Sequence, residues 1–424
     1  MPLFDLPTSA SKPDSHAAAY RMDEVNPVSS VSPTGGGSVT FEMSSPAGNW
    51  FVPKLSYFEF RLKVVQTSDS AALTAAQGAD SSLAAQFAEY PASHIVETFA
   101  HSVNGASLET VSDCAELSAI QSRTAFPKDY ADTFSGTFRT RSAALGGNSA
   151  TTVPSATSVL GSPLQPWDGT IKTWSCKYVP PAALFSYDGS IPGLRQRMVL
   201  TLTNDLYKAV LAKDSSSQTF TVTLDSIRFY AAHVVPEAPI APPRTVVLSL
   251  PTMSMQKNTI SSTNQTLVYS VAPSTDKIFV AQNVAAATGI IGTAAHEFVG
   301  DNIDSIELNY AGQRAPSISY GNQLASDNVN RDAMRAYLDF AATTGRLYRS
   351  QGIVDDEFAW TTSPIFGAEF QKPPNDQSTN LIVRATFAAP GGNLCVASRS
   401  HKIIVISYNA DGLAETVDVQ EDLS

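Results

Sequence analysis

The sequence predicts an all-β protein built as two tandem eight-stranded jelly-roll β-sandwiches with short helices in their loops. Three observations predict it. Short segments rich in Val, Ile, Phe, Tyr and Thr alternate apolar with polar positions and are separated by Gly-, Pro- and Ser-rich stretches. Helical spacing is confined to one short stretch in each half. The order of segments is also duplicated: β-rich segments, a strand ending in a glycine turn at Gly105 or Gly312, a short helix, a Phe-centred segment around Phe185 or Phe366, and a closing strand.

At 424 residues the chain exceeds what one sandwich uses, so two domains are expected. Hydrophobic residues make up 43% and charged residues 16%, which supplies two cores and leaves a surface poor in charge, as suits a protein buried in an assembly. The net charge of −11 comes without a basic run, so no electrostatic arm for DNA or RNA is expected and direct nucleic-acid binding is not predicted. Cys114, Cys176 and Cys395 lie far apart, without a C-x-x-C, and are read as reduced core residues. The N-terminus lacks a basic segment followed by an apolar one, and no run approaches the ~18 apolar residues of a membrane span. A soluble protein of a reducing compartment is expected.

Along the chain, residues 1–37 are Ser-, Pro-, Ala- and Gly-rich and read as an extended N-terminal arm rather than a packed element. Residues 38–236 read as the first jelly roll. Within it "SVTFEM" and "VPKLSYFEFRLKVV" are strands, "TSDSAALTAAQGADSSLAAQ" is a long loop, and "HIVETFAHSV" is a strand closed by the tight turn Asn104–Gly105. "LETVSDCAELSAIQSR" places Val111, Cys114, Ala115 and Leu117 on one helical face. A second long loop, "SAALGGNSATTVPSATSVLGSP", precedes the strands in "TIKTWSCKYV", "RQRMVLTLTN" and "TFTVTLDSIRFYAAHVV". Residues 237–244, Pro-rich, read as the linker.

Residues 245–410 repeat the plan as a second jelly roll. "RTVVLSL", "TLVYSVA", "KIFVAQNV", "IDSIELNYAG", "TNLIVRATFA" and "HKIIVISYNADG" are its strands. "DNVNRDAMRAYLDFAATTG" is its helix, with Asp327 as N-cap, Met334, Tyr337 and Leu338 on one face, and Gly345 as its stop. Residues 411–424 read as an acidic C-terminal tail.

No segment carries a strong catalytic signal. "HEFVGD" at His296–Asp301 lacks the second His of a zinc-binding helix, and the "DDEF" carboxylates at Asp355–Phe358 lack EF-hand spacing, so no metal and no cofactor are expected. Neither phosphate-binding glycine motif nor a G-x-S-x-G elbow occurs, so no catalytic residue is assigned. Asn264 lies in a formal glycosylation sequon read as chance. A glycan-binding or glycan-cleaving sandwich is the alternative, with Glu97, Glu109, Glu297 and Glu307 as candidate carboxylates and Trp50, Trp167, Trp174 and Trp360 as stacking residues. Core or interface packing is the expected role of those tryptophans. Phe185 and Phe366 are expected to be equivalent core anchors of the two halves.

Read together, "SVNGASLE" with its helix, "YVPPAALFSYDGSIPG" leading to "RMVLTLTN", "LDSIRFYAAHVVP", "STDKIFVAQN", "IELNYAG" and "SPIFGAEF" resemble the double jelly-roll major capsid proteins of adenovirus hexons, virophages and Polinton-like viruses. The likeness covers most of residues 40–410 and rests on the order and duplication of motifs that are individually weak. It implies a non-enzymatic shell subunit whose homotrimers, with pseudo-sixfold outline, tile an icosahedral virion of the double-stranded DNA class. The implied partners are further copies, neighbouring capsomers and minor or penton proteins, with room for an internal membrane; assembly would occur inside the infected host cell. The acidic arm favours this over the basic-armed shells of small RNA viruses. A single jelly roll carrying a separate protruding β domain is a further alternative, and would make the two halves unlike in strand order.

Overall fold

The computed structural model describes residues 17–45, 48–66, 85–87, 92–125, 173–212, 220–237, 244–283, 298, 303–317, 331–345, 364–371, 379–409 and 413–421. The first half supplies β1 (Ala17–Val25), β2 (Ser38–Ser44), β3 (Trp50–Phe51), β4 (Tyr57–Gln66), β5 (Ala85–Phe87), β6 (Val96–Val103) and β7 (Ala106–Ser112). Helix α1 (Cys114–Ala125) follows, then β8 (Thr173–Tyr178), a 3-10 turn (Ala183–Ser186), β9 (Ile191–Pro192), β10 (Arg195–Leu202), β11 (Val210–Ala212) and β12 (Phe220–Pro236). The second half supplies β13 (Thr245–Thr259), β14 (Asn264–Val271), β15 (Lys277–Asn283), β16 (Ile303–Tyr310) and β17 (Gln313–Ala315). Helix α2 (Arg331–Thr343) then precedes β18 (Phe366–Glu369), β19 (Thr379–Phe387), β20 (Asn393–Tyr408) and β21 (Ala414–Glu421).

The duplication is topological. In the first half β2-β10-β6-β7 form one sheet, and β8-β4-β12, with β1 on the far edge of β12, form the other. In the second half β14-β19-β16-β17 match the first sheet, and β18-β15-β20-β13 match the second, strand for strand. Each half therefore holds eight strands in the same order, with β3, β9 and the separate β5-β11 pair added to one and β21 to the other. The same order in both halves removes the alternative of one jelly roll plus an unlike protruding domain. Within the first half the facing sheets meet through aromatic rings. Phe58 of β4 lies 5.2 Å from Phe41 of β2 and 6.1 Å from Phe99 of β6, and 4.7 Å from its sheet neighbour Phe229.

Both predicted turns form as type I′-like pairs with positive φ at two residues, Asn104 and Gly105 in one half and Ala311 and Gly312 in the other. Glycine is also required at Gly392 (φ 74°), where an added Cβ would collide with the Asn283 carbonyl oxygen. Gly391 and Gly392 there exchange backbone hydrogen bonds with Ile260, each 3.0 Å. Gly392→Ala is expected to cost on the order of 2 kcal/mol, combining left-handed strain with the collision. A urea-unfolding midpoint equal to that of the wild type would refute this.

Three expectations need correction. The first concerns the arm: Ala17–Val25 is strand β1, paired antiparallel with β12 from Ala17↔Pro236 to Val25↔Phe229. Residues 28–37 then hold to the sheet through Val28 N to Thr40 O (2.8 Å) and Gly36 N to Thr203 O (2.9 Å). The second concerns the tail, since Ala414–Glu421 is strand β21 on β20, pairing Lys402 with Glu421. Backbone pairing holds both strands, with only Val25 of β1 and Ala414, Val417 and Val419 of β21 packing partly against the core, so composition reveals them poorly.

The third concerns the helices. α2 buries Ala336, Phe340 and Ala341 while Met334 and Leu338 face solvent, the reverse of the expected face, with Tyr337 partly buried. Val111 belongs to β7, opposite Phe99, and α1 begins at Cys114. Gly345 (φ 73°) ends α2 as expected, while Asp327 lies outside the described residues.

Strand register gives the molecule two ends. β4 ends at Gln66 beside Phe220, the start of β12, and β15 ends at Asn283 beside Asn393, the start of β20. Residues 67–84, 213–219 and 284–297 attach there. Ala17, Pro236, Thr245, Ser407 and Ala414 mark the opposite end.

Candidate functional site

The two sandwiches meet along a seam between β7, α1 and the 3-10 turn on one side and β13, β15 and β21 on the other. Two buried glutamates from the first half anchor it. Glu109 owes its inward position to a β-bulge: His101 pairs with Glu109 but Ser102 pairs with Ser107, leaving Leu108 unpaired. Leu108 and Glu109 are thus both buried. Glu109 accepts from the Ala183 amide (2.5 Å) and from Thr252 Oγ1 of β13 (3.1 Å). Burial raises its pKa, opposed by the Lys402 charge and these hydrogen bonds.

Glu116, in the first turn of α1, accepts from Lys257 Nζ (2.9 Å) and Asn283 Nδ2 (3.1 Å), both from the second half. Asn393 Nδ2 donates in turn to Asn283 Oδ1 (3.1 Å), and Lys257 Nζ also meets Asp113 Oδ1 at 2.6 Å. Desolvation works against the charge of Lys257, but its two carboxylates prevail and hold its pKa well above the usual lysine value. Asn104, in the turn between β6 and β7, bridges the base of the seam. Its Oδ1 accepts from the Arg195 amide (3.1 Å) and its Nδ2 donates to the Ala414 carbonyl, while the Ala414 amide donates to Gly193 O (3.1 Å). Arg123 of α1 lies 5.8 Å from the Phe298 ring centroid. The arrangement joins two modules; among the described residues no group of three His, Cys, Asp or Glu side chains could hold a metal.

The candidate residues drawn from the sequence do not converge. Glu109 is in the seam and Glu97 is exposed on β6, while Glu307 is ion-paired with Arg314 (2.7 Å) and Arg384 (3.4 Å). Trp50 is buried in the core, and Trp174 lies within β8. Glu297, Trp167, Trp360, His296 and residues 355–358 lie outside the described residues. The three cysteines are free and buried, with Cys114 and Cys176 pushed up to about 12 by desolvation. Phe185 and Phe366 are both buried but stand on unlike elements, a 3-10 turn and a strand. Phe185 meets Phe99 (5.9 Å) of β6, and in the second half Phe370 lies 5.5 Å from Tyr310 of β16. Glu116 escapes sequence reasoning, because a lone acid in a helix's first turn reads as a solvated one.

No protein-family model and no curated protein sequence matches the chain. Solved structures do. A chain of the Sputnik virophage, from a cryo-EM structure, superposes with a TM-score of 0.62 at 14% identity, covering 100% of this chain and 92% of its own. The fold is a double jelly roll. The mavirus major capsid protein gives 0.53 at 13% identity over 99% of this chain and 93% of its own. The Faustovirus major capsid protein gives 0.52 at 11% identity over 94% and 92%. These three chains cover 94–100% of this one at only 11–14% identity, so the likeness lies in the fold.

Proposed function

We propose that this chain is the structural major capsid protein of an icosahedral virus of the double-stranded DNA class, three copies forming a pseudo-hexameric capsomer. The observation that carries this reading is the eight-strand order repeated in both halves and matched over nearly the whole chain by viral capsid chains. The two-ended register supports it. The end bearing the long inter-strand sequences suits the outer surface, and the end where β1 and β21 begin and β12 leads into residues 237–244 suits the inner one. The hydrogen-bonded seam supplies the rigid two-module unit that a tile requires. The proposed partners are further copies, neighbouring capsomers and minor or penton proteins, and the proposed location is the virion shell, assembled inside the infected cell. No catalytic role is assigned.

Light scattering of the purified chain, with negative-stain images of the same peak, tests this. A three-chain mass with hexagonal outline is the expected result. A clean monomer would overturn it.

A further inference from the structure

We propose that Lys257 and Asp113 condense to an amide, a covalent tie between the two sandwiches that the chain makes for itself, with Glu116 as the proton carrier.

The three groups come from both sides of the seam and stand on rigid elements. Lys257 lies in β13, paired with Cys395 of β20, while Asp113 and Glu116 stand at the entry to α1. Lys257 Nζ is 2.6 Å from Asp113 Oδ1 and 2.9 Å from Glu116 Oε1. The nitrogen is therefore within contact reach of Asp113 Cγ, the arrangement from which a positioned nucleophile attacks. Asp113 keeps this place at positive φ (53°), a backbone conformation that costs a non-glycine residue energy and persists where its surroundings impose it. Its carbonyl oxygen accepts from the Leu117 amide (3.1 Å), which fixes it to the first turn of α1. Glu116 is aimed from the second half: Asn283 Nδ2 donates to its Oε1 (3.1 Å), and Asn393 Nδ2 donates to Asn283 Oδ1 (3.1 Å).

Burial at the site is uneven in the way that condensation needs. The Glu116 side chain is 2% exposed, and those of Lys257 and Asp113 are each 28% exposed. The deeply buried carboxylate is the one suited to take up a proton, because desolvation disfavours its charge and a second carboxylate stands beside it. The partial opening at the other two gives the released water a way out. By contrast Lys54 and Asp188, 47% and 45% exposed, form an ion pair open to solvent on both sides.

The resting lysine is the ammonium, which its two carboxylates stabilise. Reaction begins when Nζ passes one proton to Glu116. The freed lone pair attacks Asp113 Cγ, so an N–C bond forms and a C–O bond breaks. The departing oxygen keeps the bonding pair, takes the proton held by Glu116 and a second proton from Nζ, and leaves as water. Nζ retains one hydrogen and Glu116 ends as the carboxylate it was at the start. The balance needs no oxidant, reductant or cofactor. All three cysteines are free, so the amide locks a seam that no disulfide crosses. It needs only the folded chain and stands or falls apart from the capsomer reading.

Mass spectrometry of the full chain, denatured and reduced after incubation at neutral pH, tests this. The expected wild-type mass is lower than that of the sequence by one water. Trypsin should then release residues 64–123 and 245–277 as one branched peptide, with cleavage after Lys257 lost. Lys257→Arg, which keeps the charge, and Asp113→Ala should each show the uncondensed mass. Glu116→Gln retains an acceptor oxygen but cannot relay the proton, and should slow bond formation by about 100-fold. A wild-type chain of uncondensed mass would overturn the proposal, and would do so whether or not a variant misfolds. Loss of ammonia in place of water would overturn it too, by making Asn283 the partner. A Glu116→Gln chain that condenses at the wild-type rate would remove Glu116 from the reaction.

Discussion

Replacing Glu116 by alanine is expected to destabilise the two-sandwich unit by about 3 kcal/mol and to make its unfolding less cooperative. Removing one partner of a buried ion pair costs about 3–5 kcal/mol, because the remaining charge and donors stay desolvated. Here Glu116 is almost wholly buried while the Lys257 side chain is 28% exposed, which places the effect at the low end. Lys257 retains Asp113, but Asn283 loses its acceptor on α1. Glu116→Gln, which keeps an acceptor oxygen, should recover part of the loss. Urea unfolding followed by near-UV circular dichroism is the check. An alanine variant with a wild-type midpoint would mean that packing alone holds the seam.

The second large effect is acid sensitivity centred on His101. Its ring is buried in the first core, 5.8 Å from Phe99 and 5.9 Å from Phe185, and its Nε2–H donates to Gln196 Oε1 at 2.9 Å. Desolvation lowers its pKa to about 4, only partly offset by the Gln196 bond. A depressed folded-state pKa gives stability that is present above the unfolded value of ~6.5 and is lost as pH falls towards the folded value. The loss between those two limits is about 3 kcal/mol, at roughly 1.4 kcal/mol for each pH unit. Glu109, cross-strand from His101, acts with the opposite sign: its raised pKa gives stability at low pH that is lost as pH rises. The net wild-type profile should therefore fall less steeply than the histidine alone would make it. His101→Gln should flatten the acid limb between pH ~6.5 and ~4, and parallel wild-type and variant profiles would exclude His101 as its source.

Whether an element is legible in the sequence depends on whether its signal is local. The turns at Gly105 and Gly312 and the alternation in "RQRMVLTLTN" carry their own geometry, and those elements form where expected. In β1 and β21 the alternation spans only two large apolar positions, Tyr20 and Met22 or Val417 and Val419. From Tyr20 to Glu24 and from Glu415 to Gln420 no side chain is fully buried, and the pairing that makes β1 a strand joins Ala17 to Pro236. Met334 and Leu338 resemble a core face because helical spacing alone does not say which side of α2 meets the sheet; the structure buries Ala336, Phe340 and Ala341 instead. Glu109 and Glu116 resemble surface acids because what buries them is the other half of the chain.

Local chemistry is thus enough to specify an all-β chain, its two-part plan, its principal turns and an N-terminal segment without a basic run, since alternation, glycine φ freedom and charge act over a few residues. Long-range assembly of the chain fixes the rest: the pairing of the terminal strands, the bulge that turns Glu109 inward, the burial of Glu116 against Lys257 and Asn283, and the side of α2 that faces outward. Each of these depends on which distant segment arrives opposite, and burial and desolvation are properties of that meeting rather than of either segment alone.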